Sequence, residues 1–197
     1  MTVSMALIRV LEKEGGVSLS HSVSYVAGHS LGEYSALCAA GSLSLTDTAR
    51  LLKIRGQAMQ KAVPVGEGAM AALLGLDLEV VEKIVKTAAQ DQVCQIANDN
   101  SPGQVVISGH FEAIERAIEL SKEYGAKRSV MLNVSAPFHC ALMQPAQERM
   151  EEAFQAITIS TPLIPILDNV SAEPVQTGDD LRTLLIQQVT GRVRWRE

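Results

Sequence analysis

The 197-residue sequence predicts an α/β fold whose core is interrupted by a smaller subdomain. Three observations carry that expectation. A β-prone run, SVSYVA, reaches Gly28-His29-Ser30-Leu31-Gly32 and gives way at once to a helix-compatible run. Residues 68–134 then read as strand, helix, strand, strand, helix, strand, and the core alternation resumes only after them. At 47% hydrophobic content and a mean hydropathy of +0.13, the chain can bury the core of one domain carrying an insertion.

Taken in order, the opening MTVSMALIRVLEKEGG places Arg9, Glu12, Lys13 and Glu14 at amphipathic spacing. This predicts a surface helix and excludes a signal peptide or membrane span. A strand over Ser22–Ala27 precedes a helix from Leu31 to Ala40, stopped by Gly41. A second helix runs from Leu45 to Lys61, opened by Ser44 with Asp47 three residues on and closed before Pro64. Next come a strand (AMAALLGL), a helix (Glu79 to Gln90), two strands (VCQIAND, QVVISG), a helix (Glu112 to Tyr124) and a strand (RSVMLNV). This βαββαβ order is the ferredoxin-like split unit, assigned to residues 66–134. A helix (Ala141 to Ala156), a strand (LIPILDNV) and a helix (Asp180 to Gln188) complete a core made of residues 1–65 and 135–197. No internal repeat or low-complexity segment occurs.

The net charge of -5, from 17 basic and 22 acidic residues, is interspersed, which points away from nucleic acid and membrane surfaces. Three cysteines without a Cys-x-x-Cys, and no histidine pair at ligand spacing, argue against a disulfide framework and a zinc site. A reducing cytoplasm is the expected location.

Gly-x-Ser-x-Gly between a strand and a helix has the form of a nucleophile elbow, in which small flanking residues allow a sharp turn that exposes the serine oxygen. The helix start after Ser30 aims its free N–H groups at the same point, so the Leu31 amide can hold an oxyanion. A plain Gly/Ser turn satisfies the same five residues. Of four histidines, His21 lies in a polar loop, His29 inside the elbow, and His110 in the insertion. His139 follows Pro137 and precedes a helix, and so can hang over the carboxyl ends of the strands as a neutral base. It could also be a structural side chain. In the helix Leu45–Lys61, a projection at about 100° per residue sets Arg55 among Leu45, Leu51, Leu52 and Met59. A guanidinium on an apolar face must be paired, either with an internal acid or with a substrate carboxylate.

GHSLGEYSAL, RLLKIRGQAMQKAVPVGEGAMAALLGL, NDNSPGQVVISG and VSAPFHCALMQPA, in that order, resemble the malonyl-CoA:acyl-carrier-protein transacylases of fatty-acid synthesis. They are similar also to the acyltransferase domains of polyketide synthases. The resemblance covers essentially the whole chain. It implies an α/β-hydrolase-like core with a ferredoxin-like insertion, no bound cofactor, malonyl-CoA and phosphopantetheinylated acyl carrier protein as substrates, and a monomer in the intact form. Position by position, it makes Ser30 the nucleophile and His139 its base, oriented by a backbone carbonyl in the segment containing Gln188. It gives Leu31 half of an oxyanion hole and Arg55 the malonyl carboxylate. Asn100 and His29 fall near the substrate, Phe138 blocks the space an α-methyl group would need, and Met59 lines the same pocket.

The chain lacks the family's Gly-Gln-Gly-x-Gln loop, which carries the other oxyanion donor, and also the family's last strand and glycine-rich turn. It is therefore expected to be an internal segment of a longer enzyme. Two further readings remain open. A carboxylesterase-like hydrolase could use the same elbow but would need an acid partner for His139, while Asp77, Asp91, Asp99 and Asp168 all lack a motif. A non-catalytic truncated domain is the other.

Overall fold

The computed structural model describes all 197 residues. The chain opens with α1 (Thr2–Lys13) and the single turn α2 (Leu19–Ser22), then β1 (Val26–Ala27), α3 (Leu31–Ala39) and α4 (Leu45–Lys61). It continues through β2 (Gly68–Leu74), α5 (Leu78–Ala89), β3 (Cys94–Ser101), β4 (Gln104–His110), α6 (Phe111–Glu123) and β5 (Arg128–Met131). A 3-10 turn at Ala141–Met143 leads into α7 (Gln144–Gln155), followed by β6 (Ile166–Leu167), β7 (Pro174–Val175) and α8 (Gly178–Gln187).

These strands form two sheets. In one, ordered β1-β6-β7, β1 and β6 are parallel, with Val26 opposite Ile166 and Ala27 opposite Leu167. Parallel neighbours end on the same side, so the residues after β1 and those after β6 meet at one edge. The other sheet, ordered β3-β4-β2-β5, is antiparallel throughout. Each sheet has its own apolar core: Tyr34, Leu51, Met59, Phe154 and Ile166 belong to the first, and Leu73, Ile84, Ile107 and Ile114 to the second. Between them, the outer edge of β3 pairs with the end of the chain through Val193 N–H to Ala97 O at 2.8 Å and Asp99 N–H to Val193 O at 2.9 Å. This tie brings residues 98–100 up to the first sheet.

The helices lie close to their expected bounds, because capping and periodicity are local. Ser44 caps α4 by accepting from the Asp47 N–H at 3.0 Å and donating to its carboxylate at 2.7 Å. The strands of the first sheet depart from expectation. SVSYVA yields only the two residues of β1, since a strand extends no further than its partner, and Ser22 at its start closes the turn α2 instead. LIPILDNV shrinks to β6 because Pro165 lacks an N–H and Asp168 Oδ1 captures the N–H groups of Val170 and Ser171, which closes a turn. β5 stops at Met131, and β7, with a proline at its first position, carries no strand pattern in the sequence. Leu45 also departs from the projection: it is 44% exposed, and the buried stripe of α4 is Thr48, Leu51, Arg55 and Met59.

Phe154 is wholly buried on α7, with its ring stacked on Tyr34 at 6.4 Å between centroids. Phe154→Ala is expected to cost about 3–5 kcal/mol, read as a shift of the urea midpoint at constant slope.

Candidate active site

Ser30 lies directly after β1 and caps α3 with φ 52 and ψ -104, a conformation rare for a residue with a side chain. A serine at this position ordinarily turns its hydroxyl onto its own helix. Here it makes no such bond and the oxygen points elsewhere. The turn requires glycine at its start: a Cβ on Gly28 would lie 2.0 Å from the carbonyl carbon and oxygen of Gly32, whereas one on Gly32 would meet nothing within 4 Å. From the loop after β6, the Asn169 side chain holds the turn at both ends. Its Oδ1 accepts from the Ser30 N–H at 2.6 Å, and its Nδ2 donates to the Gly28 carbonyl at 2.9 Å.

His139, also at positive φ (60), is brought in by the segment that returns from β5. It is 4% exposed. Its Nδ1 lies 2.8 Å from the carbonyl oxygen of Gln188 and 3.1 Å from that of Gly191, at the end of α8 where helix carbonyls lack helical partners. A carbonyl can only accept, so Nδ1 carries the hydrogen and Nε2 is left as the acceptor. The Ser30 hydroxyl, 2.8 Å away, donates to that Nε2. Burial, reinforced by the charge of Arg55, lowers the imidazole from its ordinary 6.5 to about 4, which keeps it neutral and basic in form. No carboxylate touches this ring, so the acid partner needed by a carboxylesterase-like triad is not there.

Arg55 completes the cluster from α4. It is 6% exposed, and its Nη2 donates to Ser30 Oγ and to Gln188 Oε1, both at 2.9 Å. Tyr34 lies beneath it, with the ring centroid 5.6 Å from the guanidinium carbon. Between the two partners left open by the sequence, the structure excludes an internal acid. No carboxylate oxygen lies within ion-pair distance of Arg55, and its Nε is buried without any hydrogen bond. Burial lowers its proton affinity, yet a guanidinium remains charged.

The remaining predicted residues are distributed around this centre. The Leu31 N–H opens α3, is engaged by no acceptor, and belongs to a residue 45% exposed. His29 faces outward, with Nε2 2.9 Å from Asn100 Oδ1 and its ring 5.4 Å from that of Trp195. Both residues border the junction made by β3 and the chain end. Beside them, a cleft of about 350 Å³ is lined by Ala27, Asn169, Trp195 and Arg196 among others. Phe138 packs between the main core and the cluster of Met70, Ala97 and Val106 on the second sheet. Met59, one turn beyond Arg55, is 3% exposed within the main core, where packing accounts for it. No three His, Cys, Asp or Glu side chains gather to hold a metal ion.

Sequence reasoning missed two residues, Asn169 and Glu33. Glu33 is fully buried on α3, and its Oε2 accepts from Gln188 Nε2 at 2.7 Å and from the Asn169 N–H at 3.3 Å. Burial, with Asp168 adding to it, pushes this carboxyl up to about 8. The clue was present for Glu33, the one charge in the otherwise apolar stretch LGEYSALCA. Asn169 has no local signature.

Comparison with known proteins follows the same lines. The acyl transferase domain pattern matches residues 1–186. The malonyl CoA-acyl carrier protein transacylase of Escherichia coli (strain K12) is 46% identical over 195 residues, spanning 99% of this chain and 62% of that protein. Its counterpart in Bacillus subtilis (strain 168) is 44% identical over 198 residues. An acyl-carrier-protein-S-malonyltransferase structure from Bartonella henselae superposes with a TM-score of 0.94 at 58% identity, covering 98% of this chain and 61% of that one. A malonyl-transacylase solved in complex with a type II polyketide acyl-carrier protein superposes with a TM-score of 0.93 at 44% identity. The chain thus spans about 62% of the length of the curated relatives it matches.

Two predictions rest on this geometry. Gly28→Ala should destabilise the chain by about 1–3 kcal/mol or more, whereas Gly32→Ala should be neutral or stabilising by up to about 1 kcal/mol; thermal melts of the two variants side by side check this. Between pH 6.5 and about 4 the unfolded chain binds a proton on His139 that the folded chain refuses, so stability falls as pH falls through that window. His139→Gln should therefore lose less melting temperature than the unsubstituted chain between about pH 7 and about pH 5.

Proposed function

The chain belongs to the acyl transferase domain family, and on that premise we propose that it transfers a malonyl group from malonyl-CoA to the phosphopantetheine thiol of an acyl carrier protein. The observation that carries the choice of acyl group is Arg55: a buried guanidinium hydrogen-bonded to Ser30 Oγ, without a carboxylate partner and with an unused Nε donor. Such a group suits an acyl chain ending in a carboxylate, gripped by charge-assisted hydrogen bonds. The names of the relatives agree with this choice.

In this reading His139 Nε2 takes the Ser30 proton while Ser30 Oγ attacks the thioester carbon. The oxygen of the tetrahedral intermediate is held by the Leu31 N–H. The C–S bond then breaks, and CoA leaves as a thiol with the proton from His139. The carrier thiol enters, gives its proton to His139 and attacks the malonyl-serine ester. As that C–O bond breaks, Ser30 recovers the proton. Arg55 acts as selector and as orienting clamp, since fixing the free carboxylate fixes the thioester carbon against Ser30 Oγ. The Phe138 ring, packed between two apolar clusters, disfavours an α-methyl group, a preference of ~1–3 kcal/mol. His29 and Asn100 border the path of the pantetheine arm, and Met59 backs the acyl pocket.

The same reading divides the chain into an α/β-hydrolase-like core, residues 1–65 and 135–197, and a ferredoxin-like insertion, residues 66–134. The strand order β3-β4-β2-β5 and the two separate apolar clusters support it. A cytoplasmic setting is supported by three unpaired cysteines.

Incubation with malonyl-CoA should add one malonyl mass, absent in Ser30→Ala; an adduct surviving that substitution would overturn the assignment of Ser30. Arg55→Ala should lower malonyl loading by about thirtyfold or more while sparing acetyl loading, as expected for losing ~2 kcal/mol or more of buried charge recognition. Equal losses with both thioesters would remove Arg55 from the role of selector.

A further inference from the structure

We propose that Glu33 is a positioning residue for Arg55, acting through Gln188: it fixes which end of the Gln188 amide faces the guanidinium. The inference rests on the malonyl reading above and extends it to a residue whose side chain makes no hydrogen bond with Ser30, His139 or Arg55. Gln188 is fully buried, and every polar atom of its side chain is committed. Nε2 donates to Glu33 Oε2 at 2.7 Å and to the Ser30 carbonyl at 3.1 Å, while Oε1 accepts from Arg55 Nη2 at 2.9 Å.

The two ends of a carboxamide have nearly the same shape, and only their hydrogen-bond partners choose between the orientations. Arg55 offers donors alone, so it needs the oxygen end. Glu33 supplies the acceptor that holds the nitrogen end away, and its bond is the shorter of the two made by Nε2. Without it, the amide would be held in that sense only by one backbone carbonyl. A flipped amide would set N–H against N–H and leave a buried donor of Arg55 unpaired, freeing the guanidinium to turn from Ser30. Glu33 also reaches the elbow by a second route, since Asn169, whose N–H donates to Glu33 Oε2, holds the Ser30 N–H with its side chain.

The burial of this carboxyl is not explained by satisfaction, for Oε1 has no partner. The charged groups facing Glu33 are Asp168 after β6 and Arg55 on α4; the first raises its proton affinity and the second lowers it, with burial the larger effect. A proton on Oε1 leaves Oε2 free to accept, so the amide is oriented in either protonation state. When Glu33 is neutral, the charge of Arg55 remains available to a substrate carboxylate.

The test uses the full 197-residue chain, with malonyl-CoA and acetyl-CoA loading of Ser30 followed by intact mass over a range of concentrations. Glu33→Leu, which removes the acceptor, should lower the malonyl-to-acetyl ratio by about tenfold or more, chiefly through the malonyl KM. Glu33→Gln keeps an acceptor oxygen and should hold the ratio within about threefold. A folded Glu33→Leu with an unchanged ratio, equal losses of both substrates, or a Glu33→Gln as impaired as Glu33→Leu would each overturn the proposal. Should Glu33→Leu not fold, the Gln188 side-chain amide resonances decide: their shift in Glu33→Gln supports the contact, and unchanged resonances overturn it. Arg55→Ala in parallel separates the two levels. If it abolishes the ratio while Glu33→Leu does not, only the role of Glu33 fails; if it too leaves the ratio unchanged, both readings fall.

Discussion

The contact between the Gly28 backbone and the Gly32 peptide, too close to admit a Cβ at position 28, is the constraint on which the rest of the site depends. It forces Ser30 into a positive-φ turn at the carboxyl end of β1. The serine hydroxyl is thereby withdrawn from helix capping, and the first N–H of α3 is left without an acceptor. Because β1 and β6 run parallel, the loop after β6 emerges beside this turn, and Asn169 can brace it through hydrogen bonds at 2.6 and 2.9 Å. The strain of the turn is offset by these bonds and by the burial of α3 behind it.

Around that turn the chain buries ionisable groups without pairing them as salt bridges. Arg55 has amide, hydroxyl and aromatic neighbours, His139 has two carbonyls, and Glu33 has an amide and a backbone N–H. Desolvation then works in opposite directions, lowering His139 to about 4 and raising Glu33 to about 8. Near neutrality both favour their uncharged forms, and Arg55 is the one cation hydrogen-bonded to Ser30 Oγ. This is a costly arrangement for stability and a suitable one for receiving an anion. Gln188 joins these groups: its side chain touches Glu33, Arg55 and the Ser30 carbonyl, while its own carbonyl holds His139.

The helices were legible in the sequence because their signals are local, as Ser44 and Asp47 show at the start of α4. The order of elements in residues 68–131 was legible for the same reason, as each strand there alternates with turns and helices of ordinary length. The strands of the first sheet were not. β-prone residues at 22–25 form no strand, since pairing depends on a partner about 140 positions away whose length is set by Pro165 and the Asp168 turn.

For the site, local sequence specifies the chemical groups and one local geometry: a serine on a glycine-flanked turn, a histidine on a loop, and an arginine on the apolar side of a helix. Each follows from neighbours within a few residues. How they are joined emerges from the folded arrangement. It showed that Arg55 has no acid partner and donates to the serine oxygen, that carbonyls at the end of α8 set the tautomer of His139, and that Glu33 and Asn169 belong to the same network. The physical reason is distance along the chain. The Ser30–His139 bond spans 109 residues, the Ser30–Asn169 bond 139 and the Glu33–Gln188 bond 155, and no local preference fixes partners so far apart.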